Sequence, residues 1–247
     1  MSWDKRFGAK AMLAASALMV AGIVISPTPA EAGVVVSSSG PSAGQYPVGR
    51  QISASDRITL RDEDTVTVLE NGGTRVFRGA GNHALNQASA ASNSRAFASL
   101  TTQRSAARAR TGAVRTGGTT EVSNPSLWYV DVAAAGTVCL PSRDNVRLWR
   151  ADTQAESTYA ISPGVSASAA RRITFLAGEM LARWDMSEPP VEGVTYRIGH
   201  GSNTGPVEVR FVFLAETPEE PEALASTLIA NGCMVQLEQM SSAMVGG

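Results

Sequence analysis

Lysine is nearly missing from this chain of 247 residues: Lys5 and Lys10 are the only two, both within the first ten positions. Beyond them arginine is the only long cation. Phosphate-cradling loops, Schiff-base enzymes, kinases and Ser-x-x-Lys acyl enzymes all need a lysine, so the composition argues against those classes. Histidine is as scarce, with only His83 and His200, and cysteine is limited to Cys139 and Cys233. Four such residues, two of them candidates for a disulfide, do not make a zinc site, and no cofactor is expected. An excess of one charge is also lacking. The formal net charge is −1, so neither nucleic acid binding nor an acidic-tail role is implied.

Long apolar runs are absent too. The longest, Ala11 to Ser26, is about sixteen residues and falls short of the roughly 20 that a spanning helix needs. Lys5, Arg6 and Lys10 form a basic flank before it, Pro27 and Pro29 break it, and Ala30-Glu31-Ala32 gives a small-x-small pattern. Residues 1–32 therefore read as an export signal with cleavage between Ala32 and Gly33. An uncleaved N-terminal anchor is the alternative. No cysteine follows the cleavage point, so no lipid anchor is expected, and the mature chain is expected to be periplasmic or secreted without a transmembrane span. In that oxidising setting Cys139 and Cys233 are expected to pair, with two free thiols as the alternative. The closed loop of nearly a hundred residues would contribute roughly 4 to 5 kcal/mol in the loop-entropy model.

What is present is mostly β pattern. In residues 33–82 the short runs Ile58 to Leu60, Val66 to Leu69 and Arg75 to Phe77 alternate apolar and polar side chains, and Asn71-Gly72-Gly73 suits a tight hairpin. Four or five short strands are expected there. The order Val35-Val36-Ser37-Ser38-Ser39-Gly40, Val48-Gly49, Arg57-Ile58-Thr59-Leu60, Val66-Thr67-Val68-Leu69, Asn71-Gly72-Gly73-Thr74-Arg75 and Arg78-Gly79-Ala80-Gly81 resembles a FecR-type domain. That resemblance covers about a fifth of the chain and implies a periplasmic β module engaged in envelope signalling.

Residues 83–120 shift to Ala, Ser, Thr and Arg and permit a helix between Ala84 and Ala109. Phe97 and Leu100 share one face, Arg104 and Arg108 another. The expectation is a solvated helical and flexible linker. Arg95, Arg104, Arg108, Arg110 and Arg115 are a candidate interaction surface for an anionic partner.

From Glu121 to Glu216 eight strands recur every eight to twelve residues, at 127–132, 137–140, 146–150, 157–161, 172–176, 181–184, 194–198 and 207–214. The breaks between them carry Pro, Gly, Asp and Asn. This spacing predicts an antiparallel β-sandwich of the immunoglobulin-like kind. Trp128, Tyr129, Trp149 and Trp184 could form a carbohydrate-stacking platform, but filling the space between sheets is the commoner use of such aromatics. In residues 217–247 the period changes. Thr217 to Glu220 fits a capping box, and Glu220 with Pro221 offers a second register. Leu224, Leu228 and Ile229 form an apolar stripe, and Asn231-Gly232 supplies a stop. Cys233, Leu237, Met240 and Met244 continue at helical spacing, with a strand at 234–238 as the alternative. The methionines could form a soft partner-binding face, though a covering role is favoured.

Catalytic patterns are thin. Gly40-Pro41-Ser42-Ala43-Gly44 matches the letters of a nucleophile elbow but is followed by turn and strand residues instead of a helix. Pairing Ser42 with His83, or Ser202 with His200, lacks an orienting acid and an oxyanion site. Asp62-Glu63-Asp64 lacks the ligand rhythm of a calcium loop and reads as a solvated turn. The sequence thus points to a mainly β, non-enzymatic exported protein that binds an envelope or membrane protein, with cell-wall or surface glycan binding as the alternative and a serine hydrolase as a remote one.

Overall fold

The computed structural model describes residues 31–70, 72–85, 92–102, 123–164, 170–185, 187–201 and 205–245. The N-terminal region contributes β1 (Glu31–Ser39), β2 (Gln51–Ser53), β3 (Arg57–Leu60), β4 (Thr65–Glu70), β5 (Gly73–Arg78) and β6 (Gly81–Ala84). Four of these form an antiparallel sheet in the order β2-β1-β4-β5, and β3 pairs with β6. The β4–β5 hairpin closes on the pair Glu70 with Gly73, as the Asn-Gly pattern predicts. Alternation on β1 and β4 serves two cores at once. Val35, Val66 and Val68 point to one side with Ile52, Ile58 and Leu60, whereas Val34, Val36 and Leu69 point to the other. Both sides of this sheet are dry.

What covers the second side comes from far along the chain. Helix α1 (Ser94–Thr101) buries Phe97 and Leu100 there. For α1 the solvated reading is corrected: Phe97 and Leu100 are inside, Leu100 O accepts from Leu127 N–H and Ser126 Oγ, and Trp128 Nε1 donates to Thr101 O at 2.7 Å, while residues 103–120 of the expected linker lie outside the described residues.

The next eight strands fall where the spacing places them: β7 (Tyr129–Asp131), β8 (Gly136–Leu140), β9 (Arg147–Trp149), β10 (Ser157–Pro163), β11 (Arg171–Phe175), β12 (Leu181–Arg183), β13 (Thr195–Gly199) and β14 (Val207–Phe213). They form a five-stranded sheet, β11-β10-β13-β14-β8, and a three-stranded sheet, β12-β9-β7. Side chains of both sheets meet in one core around Leu148, Phe175, Trp184, Tyr196 and Phe211, so the unit is a β-sandwich. Trp184 meets Tyr196 and Phe211 edge-on, the arrangement that ring quadrupoles favour. The sandwich is mixed where antiparallel pairing was expected, since β14 with β8 and β7 with β9 run parallel. These are pairs between strands distant in sequence, which no hairpin turn constrains.

The chain ends in α2 (Pro221–Ala230) and α3 (Met234–Met244). Glu220 is the N-cap and Pro221 opens the helix, so the second of the two capping registers is the one used. Gly232, at φ 71°, makes the left-handed stop. The apolar stripe Leu224, Leu228, Leu237, Met240 and Met244 packs into the same cluster as Val34, Leu69, Phe97, Leu127 and Cys139. The helices do more than cover the sandwich. They lie between it and the N-terminal sheet and share a core with both.

Candidate functional site

Cys139 and Cys233 form the expected disulfide, with Cα atoms 5.9 Å apart across 94 residues of sequence. It bolts β8 to the start of α3. Beside it Gln236, on α3 and 4% exposed, works as a substitute strand. Its Oε1 accepts Cys139 N–H at 2.7 Å, and its Nε2 donates to Cys139 O at 2.7 Å and Leu127 O at 2.6 Å. On the open edge of β8 the backbone groups of Cys139 are thereby satisfied by one side chain.

Ser42 is 2% exposed, and its backbone N–H donates to Asp64 Oδ1 at 2.8 Å. Asp64 accepts Arg61 N–H as well, at 2.5 Å. Burial works against the Asp64 carboxylate, but the hydrogen bonds from Ser42 and Arg61 and the Arg61 charge outweigh it and hold its pKa below the ordinary range. Asp62 and Glu63 form the exposed turn that was expected, but Asp64 is corrected to an interior staple between two loops. His83 is half-buried on β6, against Phe77 and Gly79 O. Ser202 lies outside the described residues. Among the described residues no group of three or more His, Cys, Asp or Glu could hold a metal ion.

The tryptophan platform is not formed either. Trp128, Tyr129, Trp149 and Trp184 are all at most 4% exposed and fill the interior. Of the five arginines proposed as a surface, Arg95 is exposed on α1, and Arg104, Arg108, Arg110 and Arg115 lie outside the described residues. At the proposed cleavage point β1 already runs from Glu31, which pairs with Ser53. A Cβ on Gly33 would stand 2.6 Å from Leu69 O, so only glycine allows β1 to approach β4 there.

Two concavities stand out among the described residues. The larger, about 670 Å³, lies where Gly33, Gln51 and Gly72 of the N-terminal region meet the starts of α1 and α2. Its rim is acidic, with Glu219 and Glu220 exposed and Glu222 accepting Gly72 N–H at 2.7 Å. The smaller, about 450 Å³, opens at one end of the sandwich, among Asn124, Asp131, Trp149, Arg150, Asp152 and Tyr159. Asp131 and Trp149 face each other in register across β7 and β9. Burial pushes the Asp131 pKa up, partly opposed by the hydrogen bond from Ala133 N–H. Arg150 is 4% exposed and spends its donors on Glu179 O, Ala155 O, Ser157 Oγ and Leu176 O. Tyr159 carries the exposed His200 ring at 4.8 Å.

Sequence reading missed this second cavity and Gln236. Period two does put Tyr129 and Asp131 on one strand face, but the parallel β7–β9 pairing that adds Trp149 leaves no local trace. The chain has no match among protein-family models, curated proteins or solved structures.

Proposed function

We propose that this chain is an exported, non-enzymatic envelope protein that acts by binding another protein, in the periplasm or outside the cell. The observation that carries the reading is the groove between the N-terminal sheet, α1 and α2. It is open, acidic at its rim, and built from parts that one shared core holds in fixed relation. A groove of that shape suits a projecting basic or polar segment of an envelope or membrane protein. The disulfide supports an oxidising compartment, and among the described residues no helix is long and apolar enough to cross a membrane. The FecR-type resemblance of residues 34–81 adds envelope signalling as the context in which such a partner would be sought.

The test is site-specific photo-crosslinking in the native host. Crosslinkers placed at Gln51 and Ala223, on the groove, are expected to capture one recurrent protein, and a crosslinker at exposed Thr174 on β11 is not. Recovery of the chain alone from all three positions would overturn the proposal.

A further inference from the structure

We infer that the open face of the larger sandwich sheet docks a linear acidic polysaccharide along a diagonal row of three arginines. The inference goes beyond the protein-binding proposal and stands apart from it, because none of the residues used here lines the groove.

Alternation makes the face. Ile173, Tyr196, Ile198, Val209 and Phe211 point into the sandwich core, so Arg172 on β11, Arg197 on β13 and Arg210 on β14 point the other way. At the β8 end α3 lies over this outer side, where Cys139 and Val212 join the helical core. Farther across, the face is open. Thr158 and Ala160 are exposed although β10 has a strand on either side, and Arg172, Thr195 and Arg210 are exposed with them.

Register sets the row. Arg172 pairs with Ala160, which pairs with Gly199, two residues after Arg197. Thr195, two residues before Arg197, pairs with Arg210. The arginines therefore shift along the strands as they cross them, and consecutive ones stand roughly 10 Å apart by ordinary strand spacing and rise. Only Ala160 and Ser162 stand between Arg172 and Arg197, which leaves a shallow track, and Thr195 and Glu208 flank the second gap. Among the described residues none of the three arginines is in an ion pair, although Glu208 faces Arg197 in register. Three guanidinium groups beside one carboxylate leave the face positive.

The spacing selects the occupant. A nucleic acid strand carries a charge about every 3.4 Å, far denser than this row. Lipid recognition through charge takes clusters of about four to eight basic residues, and no apolar side chain stands in the track to enter a bilayer. A protein partner is held by anchors in desolvated pockets, which this track lacks. A polysaccharide with a carboxylate on every second ring presents sparse anions along an extended chain. Each carboxylate can take a bidentate bond from a guanidinium, and the hydroxyls between them suit Ser162 and Thr195.

The test is a binding titration of the chain, processed as in its host and with its disulfide intact, over immobilised hyaluronate. Dextran, single-stranded DNA and phosphatidylglycerol vesicles are the comparison surfaces. Saturable binding to hyaluronate is expected, weakened by added salt, with none to neutral dextran. Arg172→Gln, Arg197→Gln and Arg210→Gln should each weaken it about threefold to fivefold, and the triple variant should abolish it. Arg183→Gln, on the other sheet, should leave it unchanged. Glu208→Gln should tighten it about twofold, a gain that damage to the fold does not produce. Failure to bind hyaluronate would overturn the inference, as would binding that survives the triple variant. Tighter binding to DNA or to the vesicles than to hyaluronate would also overturn it, by assigning the face to a different polyanion.

Discussion

The N-terminal sheet and the larger sheet of the sandwich use the same strand chemistry to different ends. Strand β11 buries Ile173 and Phe175 and exposes Arg172 and Thr174, so it reads as a half-buried strand on its own, and β14 buries Val209 and Phe211 beside exposed Glu208 and Arg210. Strand β4 is buried from Val66 through Glu70 with no wet side. Its even-numbered residues enter one core, and Leu69 enters a core that β1 shares with three helices. The sandwich core is filled from residues 130–213, whereas Val34 and Leu69 of the N-terminal sheet share their core with Leu224 and Leu237, more than 150 positions away. One unit is self-sufficient in pattern; the other depends on the end of the chain.

The bond that holds this dependence is the first to break. Cys139→Ser with Cys233→Ser is expected to remove about 4 to 5 kcal/mol of stability in the loop-entropy model, read as a fall in urea midpoint with a steeper slope as the uncrosslinked unfolded chain exposes more surface. A fall below about 1 kcal/mol would show that the helices hold their place by packing alone. Next come two core truncations that separate the regions. Leu228→Ala and Phe175→Ala should each cost roughly 3 kcal/mol, since both side chains are fully buried. Hydrogen exchange distinguishes them: Leu228→Ala should speed exchange in β1 and β4, and Phe175→Ala in β10 and β11. Equal acceleration everywhere would mean that the two regions unfold as one unit and would erase the contrast.

Gln236→Leu sharpens the same comparison at smaller scale. The apolar side chain leaves Cys139 N–H and two carbonyls without partners, at about 1 to 3 kcal/mol by thermal or urea unfolding. The smallest effect belongs to Asp64. Its folded pKa lies below the unfolded value, so it stabilises the fold above the ordinary aspartate range. That contribution is lost as pH falls through the lowered folded value. Stability measured from neutral to acid pH should therefore show a flatter acid limb for Asp64→Asn, and an unchanged limb would remove Asp64 from the account.

Much of the fold was legible because its signals are local. All eight sandwich strands follow from alternation and turn residues, and the α2–α3 break follows from Asn231-Gly232. Even the disulfide followed from compartment and parity. The readings that needed correction concern burial. Phe97 and Leu100 on α1 looked too few to bury, and Asp64 looked solvated. In each case the missing information was what packs against the residue.

The candidate sites show the same limit more sharply. Asp131, Trp149 and Tyr159 carry no motif and lie on three strands; only the parallel pairing of β7 with β9 and the turn of β10 bring them to one cavity. Gln236 is an ordinary helical glutamine in the sequence, and becomes the cap of a strand edge only when α3 docks on β8. By itself the sequence determined which segments are strands or helices and where they stop, because those choices are made by neighbours within a few residues. Strand order, the second dry face of the N-terminal sheet and both concavities were decided by tertiary structure, because long-range burial selects among pairings that local pattern leaves equal.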